Sequence, residues 1–143
     1  MQSFIIAIDP GHGGRDPGAV AGKIYEKDLN LNLSAYLFKL CLDRGLSPYL
    51  IRGGDYNLQL EERVKLAEAA GAELFLSVHH NGAASSGGNG TETFHYPGSR
   101  LGILYAEYIQ QRMVDVLGSR DRGVKASDSL YVLRRTSMPA VLI

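Results

Sequence analysis

Four histidines, His12, His79, His80 and His95, and one cysteine, Cys41, bound the metal and nucleophile chemistry open to this 143-residue chain. A single cysteine excludes an internal disulfide framework and a cysteine-rich zinc site, so a metal must be held by histidine and carboxylate. His12 lies in residues 10–18, where four glycines and two prolines fill nine positions and make a rigid, backbone-exposing loop. His79 and His80 close the apolar run 74–78. Adjacent strand residues face opposite ways, so the two do not both bind one ion, and their spacing leaves open which one does. Glu26, near a predicted helix start, reads either as a first-turn carboxylate favouring the helix dipole or as a third metal donor. In the second reading two imidazoles and a carboxylate leave a position for water, the pattern of catalytic zinc, which lowers the pKa of that water towards ~7.

Competing chemistries fail on inspection. Gly11-His12-Gly13-Gly14-Arg15-Asp16 puts an aspartate where the dinucleotide fingerprint needs its third small residue. No Gly-Lys-Ser/Thr follows it, and the chain has no His-Glu-x-x-His and no Gly-x-Ser-x-Gly elbow. Cys41 falls on a predicted apolar helix face and reads as an inert core residue.

The elements that must position these residues alternate. Residues 3–9 read as a central strand ending at Asp9-Pro10-Gly11. A helix is predicted from Asp28, with Leu29, Leu33, Tyr36, Leu37 and Leu40 on its apolar face and Gly45 at its end. A second strand over 46–51 contains Pro48, which places it near an edge or restricts its start. Asn57 is the expected cap of a helix carrying Leu60, Val64, Ala67 and Ala70 and ended by Gly71. A third strand over 74–78, a small-residue loop over 82–90 and a strand over 91–96 follow. Leu101, Leu104, Tyr105, Tyr108, Ile109 and Met113 mark a third helix up to Gly118, and 130–133 and 140–143 read as short strands. The expected fold is α/β: one three-layer domain with a mostly parallel, twisted sheet flanked by helices. Ligands of such sheets bind beyond the carboxyl ends of the strands, where His12 and His79 both stand. If the first and third strands are neighbours, their imidazoles converge.

Composition narrows the partners. With 45% hydrophobic and 21% charged residues the chain is globular rather than disordered, and fifteen basic against fifteen acidic residues argue against general nucleic-acid binding. No apolar run approaches the ~18 residues of a membrane span. Met1-Gln2-Ser3 lacks the basic region of an export signal, and the chain stops inside the apolar run 139–143, so a shortened chain is expected.

Taken in order, Ile8-Asp9-Pro10-Gly11-His12-Gly13-Gly14, Asp16-Pro17-Gly18-Ala19, Glu26-Lys27-Asp28-Leu29-Asn30, Leu60 with Glu62-Arg63, Ser77-Val78-His79-His80-Asn81, Gly90-Thr91-Glu92-Thr93-Phe94, Arg122-Gly123-Val124-Lys125, Leu130-Tyr131-Val132-Leu133-Arg134 and Pro139-Ala140-Val141-Leu142-Ile143 cover the whole chain. This ordered set resembles the zinc-dependent N-acetylmuramoyl-L-alanine amidases of the third amidase family. The resemblance implies one Zn²⁺ held by His12, Glu26 and His79, and cleavage of the peptidoglycan amide between the lactyl group of N-acetylmuramic acid and L-alanine. It makes residues 1–143 a catalytic domain without the C-terminal segment that the family carries. The family's catalytic glutamate is expected just after Ile143; within the chain Glu92 is the candidate substitute, and Asn81 is the candidate substrate-binding residue. Asp9 is a candidate support for His12, against its plainer reading as a loop cap. The implied partner is peptidoglycan, met by a monomer at the bacterial cell wall, as in a phage or prophage lysin or an excised catalytic domain. The alternative is a non-catalytic wall-binding or regulatory module that kept the fold.

Overall fold

Side chains of Ile5, Ile6, Ala7 and Ile8 alternate between hydrophobic clusters on opposite faces of a sheet, and the rest of the molecule is layered around that division. The computed structural model describes residues 3–82 and 88–143; Met1, Gln2 and residues 83–87, part of the predicted small-residue loop, lie outside the described residues. The elements run β1 (Ile5–Pro10), β2 (Val20–Ala21), β3 (Ile24–Tyr25), α1 (Glu26–Asp43), β4 (Ser47–Leu50), α2 (Leu60–Ala69), β5 (Leu74–Val78), β6 (Thr91–His95), α3 (Arg100–Leu117), β7 (Asp121–Ala126), α4 (Tyr131–Arg135) and β8 (Ala140–Leu142). Six strands form one sheet in the order β4-β1-β5-β8-β6-β7, while β2 and β3 make a separate hairpin. Only the β6–β8 pairing in the sheet is antiparallel.

Two helices cover each face. Val64 and Ala67 of α2 and Val132 and Leu133 of α4 pack with Ala7, Phe75 and Ala140. On the other face Leu37 and Cys41 of α1 and Tyr105, Ala106 and Ile109 of α3 meet Ile6, Ile8, Leu76 and Val141. Pro48 does lie on an edge strand. β1 and β5 are parallel neighbours with Pro10 opposite Val78, so the segments that carry His12 and His79 leave the same end of the sheet side by side. No helix among the described residues is long and apolar enough to cross a membrane.

Several local expectations are corrected. α1 begins at Glu26, two residues before the predicted start, behind a hairpin that the sequence reading did not contain. Its inward stripe is Glu26, Asn30, Ser34 and Cys41, whereas Leu29, Leu33, Tyr36 and Leu40 are exposed. Leucines occur on several faces of this helix, so apolar periodicity alone does not choose one; the polar stripe turns inward because Glu26 and Asn30 are consumed by the site below. α2 is capped at Gln59, not Asn57, and its Glu62 carboxylate accepts the Gln59 backbone N–H at 2.7 Å. Residues 130–133 are not a strand: Tyr131–Arg135 is a helical turn, which brings the adjacent Val132 and Leu133 to one cluster, as alternation in a strand would not. β7 escaped the sequence reading because an edge strand of sequence Asp-Arg-Gly-Val-Lys-Ala has no apolar run.

The burial pattern sets an expected contrast in stability. Phe75 is fully buried in the central strand, so Phe75→Ala should lower the unfolding free energy by about 3–5 kcal/mol in urea denaturation. Tyr36→Ala, on the face that periodicity assigns to the core, should change it by less than about 0.5 kcal/mol. Equal losses would contradict the orientation of α1.

Candidate metal centre

The loop that carries His12 is clamped from beneath by two buried arginines. Arg63, from α2, donates to the Asp9 carboxylate at 2.8 Å, to the Pro10 carbonyl at 2.7 Å and to the His12 carbonyl at 2.7 Å. Arg52 donates to the carbonyls of Gly11 (3.2 Å), Lys27 (3.2 Å) and Gly54 (2.7 Å). On the outside, Asp55 accepts both the Gly14 N–H and the Lys27 ammonium, each at 2.7 Å. These bonds hold His12 at a φ of 62°, a left-handed conformation in which a side chain other than that of glycine is strained.

Two glycines admit the donors. A Cβ on Gly11 would fall on the His79 ring, and one on Gly18 (φ 65°) would come within 2.6 Å of both Glu26 Oε2 and the His12 ring. Glu26, the first residue of α1, enters this gap. Its Oε2 lies 3.2 Å from His12 Nε2 and accepts the Ala19 N–H at 2.8 Å. Its Oε1 lies 2.9 Å from His79 Nδ1 and accepts the His80 N–H at 3.1 Å and the Asn30 amide at 3.2 Å. The His12 and His79 rings meet edge to face, 4.9 Å between centroids. One donor atom from each of His12, Glu26 and His79 lies within 4.8 Å of the others, the one such cluster of three or more His, Cys, Asp or Glu residues among the described residues. Two imidazole nitrogens and a carboxylate oxygen converging in this way are a donor set that a divalent zinc ion fits.

Charge follows this geometry. Burial alone would push the Glu26 carboxyl up, but the bonds from His12, His79 and the backbone N–H groups of Ala19 and His80 outweigh it and hold the carboxyl well below the usual carboxylate range. The hydrogen bond to Glu26, opposed by burial and reinforced by Asp16, raises the His12 imidazole. Burial holds His80 below the ordinary histidine range.

The other candidates part company with the cluster. His80 turns its Nδ1 to Asn30 Oδ1 at 2.7 Å and reaches Glu26 only through its backbone. His95 bonds the Tyr96 carbonyl, and Cys41 is a buried free thiol. Asp9 does not touch His12: it is engaged by Arg63 and by the Ser77 hydroxyl at 2.9 Å. The carboxylate on His12 Nδ1 is that of Asp16, whose Oδ2 lies 2.8 Å away. Its position four residues on, across the glycine turn, was the available signal. Asn81 donates to Glu92 Oε1 at 2.8 Å, while Glu92 Oε2 is bonded by Lys125 and lies 3.2 Å from Arg122 Nε. Burial opposes ionisation of Glu92, but these cations and the Asn81 amide prevail, so its carboxyl is held below the usual range.

Residues 6–143 match the N-acetylmuramoyl-L-alanine amidase family. The chain is 41% identical over 141 residues to the N-acetylmuramoyl-L-alanine amidase LytC of Bacillus subtilis, covering 96% of this chain and 28% of that protein. It is 40% identical over 150 residues to the endolysin of Bacillus phage SPP1, covering 99% of this chain and 54% of that protein. The chain thus spans about half or less of the length of these two relatives. Among solved structures, the catalytic domain of the N-acetylmuramoyl-L-alanine amidase CwlV from Paenibacillus polymyxa var. colistinus superposes with a TM-score of 0.90 at 36% identity, covering 97% of this chain and 78% of that one.

The pKa shifts give the metal-stripped protein a distinctive pH profile. The His12 pKa is raised above an ordinary 6.5, so its stabilisation is fully present below about pH 6.5 and is lost as pH rises through the raised value. The Glu26 pKa is lowered from 4.5, so its contribution is present above about pH 4.5 and is lost as pH falls below that. Urea denaturation of chelator-treated protein should therefore show greatest stability between these limits. His12→Gln should remove the decline on the alkaline side; a variant that keeps it would place the titration elsewhere.

Proposed function

From a chain that belongs to the N-acetylmuramoyl-L-alanine amidase family, we propose a zinc-dependent hydrolase that cleaves the peptidoglycan amide joining the lactyl group of N-acetylmuramic acid to L-alanine. The observation that carries the proposal is the convergence of His12, Glu26 and His79 at the end of β1 and β5. These three residues would hold the ion, and a set of three protein donors is that of catalytic rather than structural zinc. When bound there, zinc supplies Lewis acidity that polarises the amide carbonyl and acidifies water.

The remaining work falls to the chain itself. His12 must present Nε2, and Asp16 on Nδ1 selects that tautomer and fixes the ring. Asn30 and the Ala19 and His80 amides keep Glu26 ionised and aimed. Hydrolysis adds hydroxide to the lactyl carbon, breaks its bond to nitrogen and delivers a proton to the departing L-alanine amine, so a proton-transfer group is required. Glu92, fastened to Lys125, Arg122 and Asn81, is suited to holding Asn81 in place rather than to trading protons. The resemblance puts the proton-transfer glutamate directly after Ile143. Ile143 accepts the His79 N–H at 2.8 Å and donates to the Ser77 carbonyl at 3.0 Å, which supports that position as one beside the metal ligands. The protein would act on the bacterial wall, as a monomer, since one chain brings all three donors together.

The test pairs metal content with product. Zinc-loaded residues 1–143, and the same protein continued through the glutamate position, are incubated with purified peptidoglycan, and new L-alanine amino termini are counted. The continued protein should be faster by about 10²–10⁴-fold, the usual worth of a positioned acid–base group. His12→Ala should lose most zinc and activity together, while His80→Ala should keep its zinc. Wall binding without release of L-alanine termini in either form would favour the non-catalytic reading. Equal rates would put the proton-transfer group within residues 1–143, with Glu92 the first to mutate.

A further inference from the structure

His79 stands at the junction of two clefts of unlike charge. One, of about 340 Å³, runs past His12, Asp16, Asn57, Gln59 and Tyr131. The one guanidinium in its lining, Arg63, is spent on Asp9 and on backbone carbonyls, and Asp16 adds a half-exposed carboxylate. This cleft offers amides and an aromatic ring but no unpaired cation among the described residues. The other, of about 300 Å³, runs from His79 past His80 and Asn81 to Glu92 and Arg122.

Arg122 is fixed at its root and unfinished at its tip. The neighbouring Asp121 carboxylate accepts from the buried Gln110 amide at 2.6 Å and from the Gly123 N–H at 2.8 Å, which ties the start of β7 to α3. Its Nε faces the buried Glu92 carboxylate at 3.2 Å. Its two terminal amino groups meet no acceptor among the described residues, and the side chain is 37% exposed. Lys125 shares Glu92 Oε2, so two cations face one buried carboxylate. A guanidinium oriented through Nε, whose planar outer edge meets no acceptor among the described residues, is preorganised for bidentate capture of a carboxylate.

Resting on the amidase reading above, we infer that the Arg122 cleft takes the peptide side of the substrate and that Arg122 binds a free carboxylate of the stem, while the Asn57, Gln59 and Tyr131 cleft takes the sugar. Acidic stems, those with an unamidated α-carboxyl on the glutamate after L-alanine, are therefore preferred to amidated ones. Asp16 repels the same carboxylate from the opposite cleft, which gives the substrate a direction across the metal ligands.

The test is binding, which needs no turnover. Zinc-loaded protein is titrated calorimetrically with the tripeptide L-Ala-γ-D-Glu-L-Lys and with its counterpart in which the glutamate α-carboxyl is a carboxamide. The parent protein should favour the acid by about tenfold or more, the scale of charge-assisted hydrogen bonds. Arg122→Gln should bind the two alike, and Arg122→Lys should keep part of the preference, because it restores charge without the planar fork. Equal affinities in the parent, an undiminished preference in Arg122→Gln, or no binding of either peptide would overturn the inference. The release of L-alanine termini judges the amidase reading separately, so the two failures are distinguishable.

Discussion

A carboxylate that is buried yet ionised needs compensating donors, and Glu26 collects five: two imidazoles, two backbone N–H groups and an asparagine amide. Much of the local architecture follows from that requirement. Glu26 opens α1, so the helix must present its first turn to the sheet end. Asn30, one turn on, must share that face, and Leu29 and Leu33 are rotated outward as a consequence. The β2–β3 hairpin sets the point at which the chain turns into the helix, with Glu26 N–H bonded to the Ala19 carbonyl at 2.9 Å. β1 and β5 must be neighbours, because their following residues supply the two imidazoles.

The second constraint is the cost of holding His12 in place. A left-handed φ at a residue other than glycine costs on the order of 1–3 kcal/mol and persists only where the surroundings over-determine it. Arg52 and Arg63 do so, converting the carbonyls of Pro10, Gly11 and His12 into acceptors for buried guanidinium groups. Only Asp9 offers Arg63 a buried counter-charge, so the backbone carbonyls carry the rest of the solvation that water would otherwise give. The arginines exert their effect through the shape of the loop, and neither needs to touch an ion.

Much of this was legible in the sequence, for physical reasons that also explain the failures. The buried strands 5–10 and 74–78 announce themselves as apolar runs, and ligand sites of such sheets lie past the strand ends, which singles out His12 and His79. Choosing His79 over His80 needed the resemblance; in the fold it is the His79 ring that meets Glu26. The face of α1 was misread because periodicity counts leucines and is blind to a polar stripe recruited by a site. Asp16 passes without a role in the sequence, while the conspicuous strand-ending Asp9 reads as a loop cap or as a candidate support of His12. Its real partner, Arg63, lies 54 residues away, a pairing that no local pattern encodes. Arg122 stood in a motif without a role until β7 placed it beside Glu92.

Whether Glu26 and the two imidazoles act as one donor set can be read at the zinc X-ray absorption edge. The zinc-loaded protein should show a shell of nitrogen and oxygen at about 2.0–2.2 Å, with the outer-shell scattering of two imidazoles and no sulfur. Glu26→Gln should alter the oxygen contribution and leave both imidazoles in place. A sulfur shell near 2.3 Å, or a spectrum with fewer than two imidazoles, would rule that donor set out.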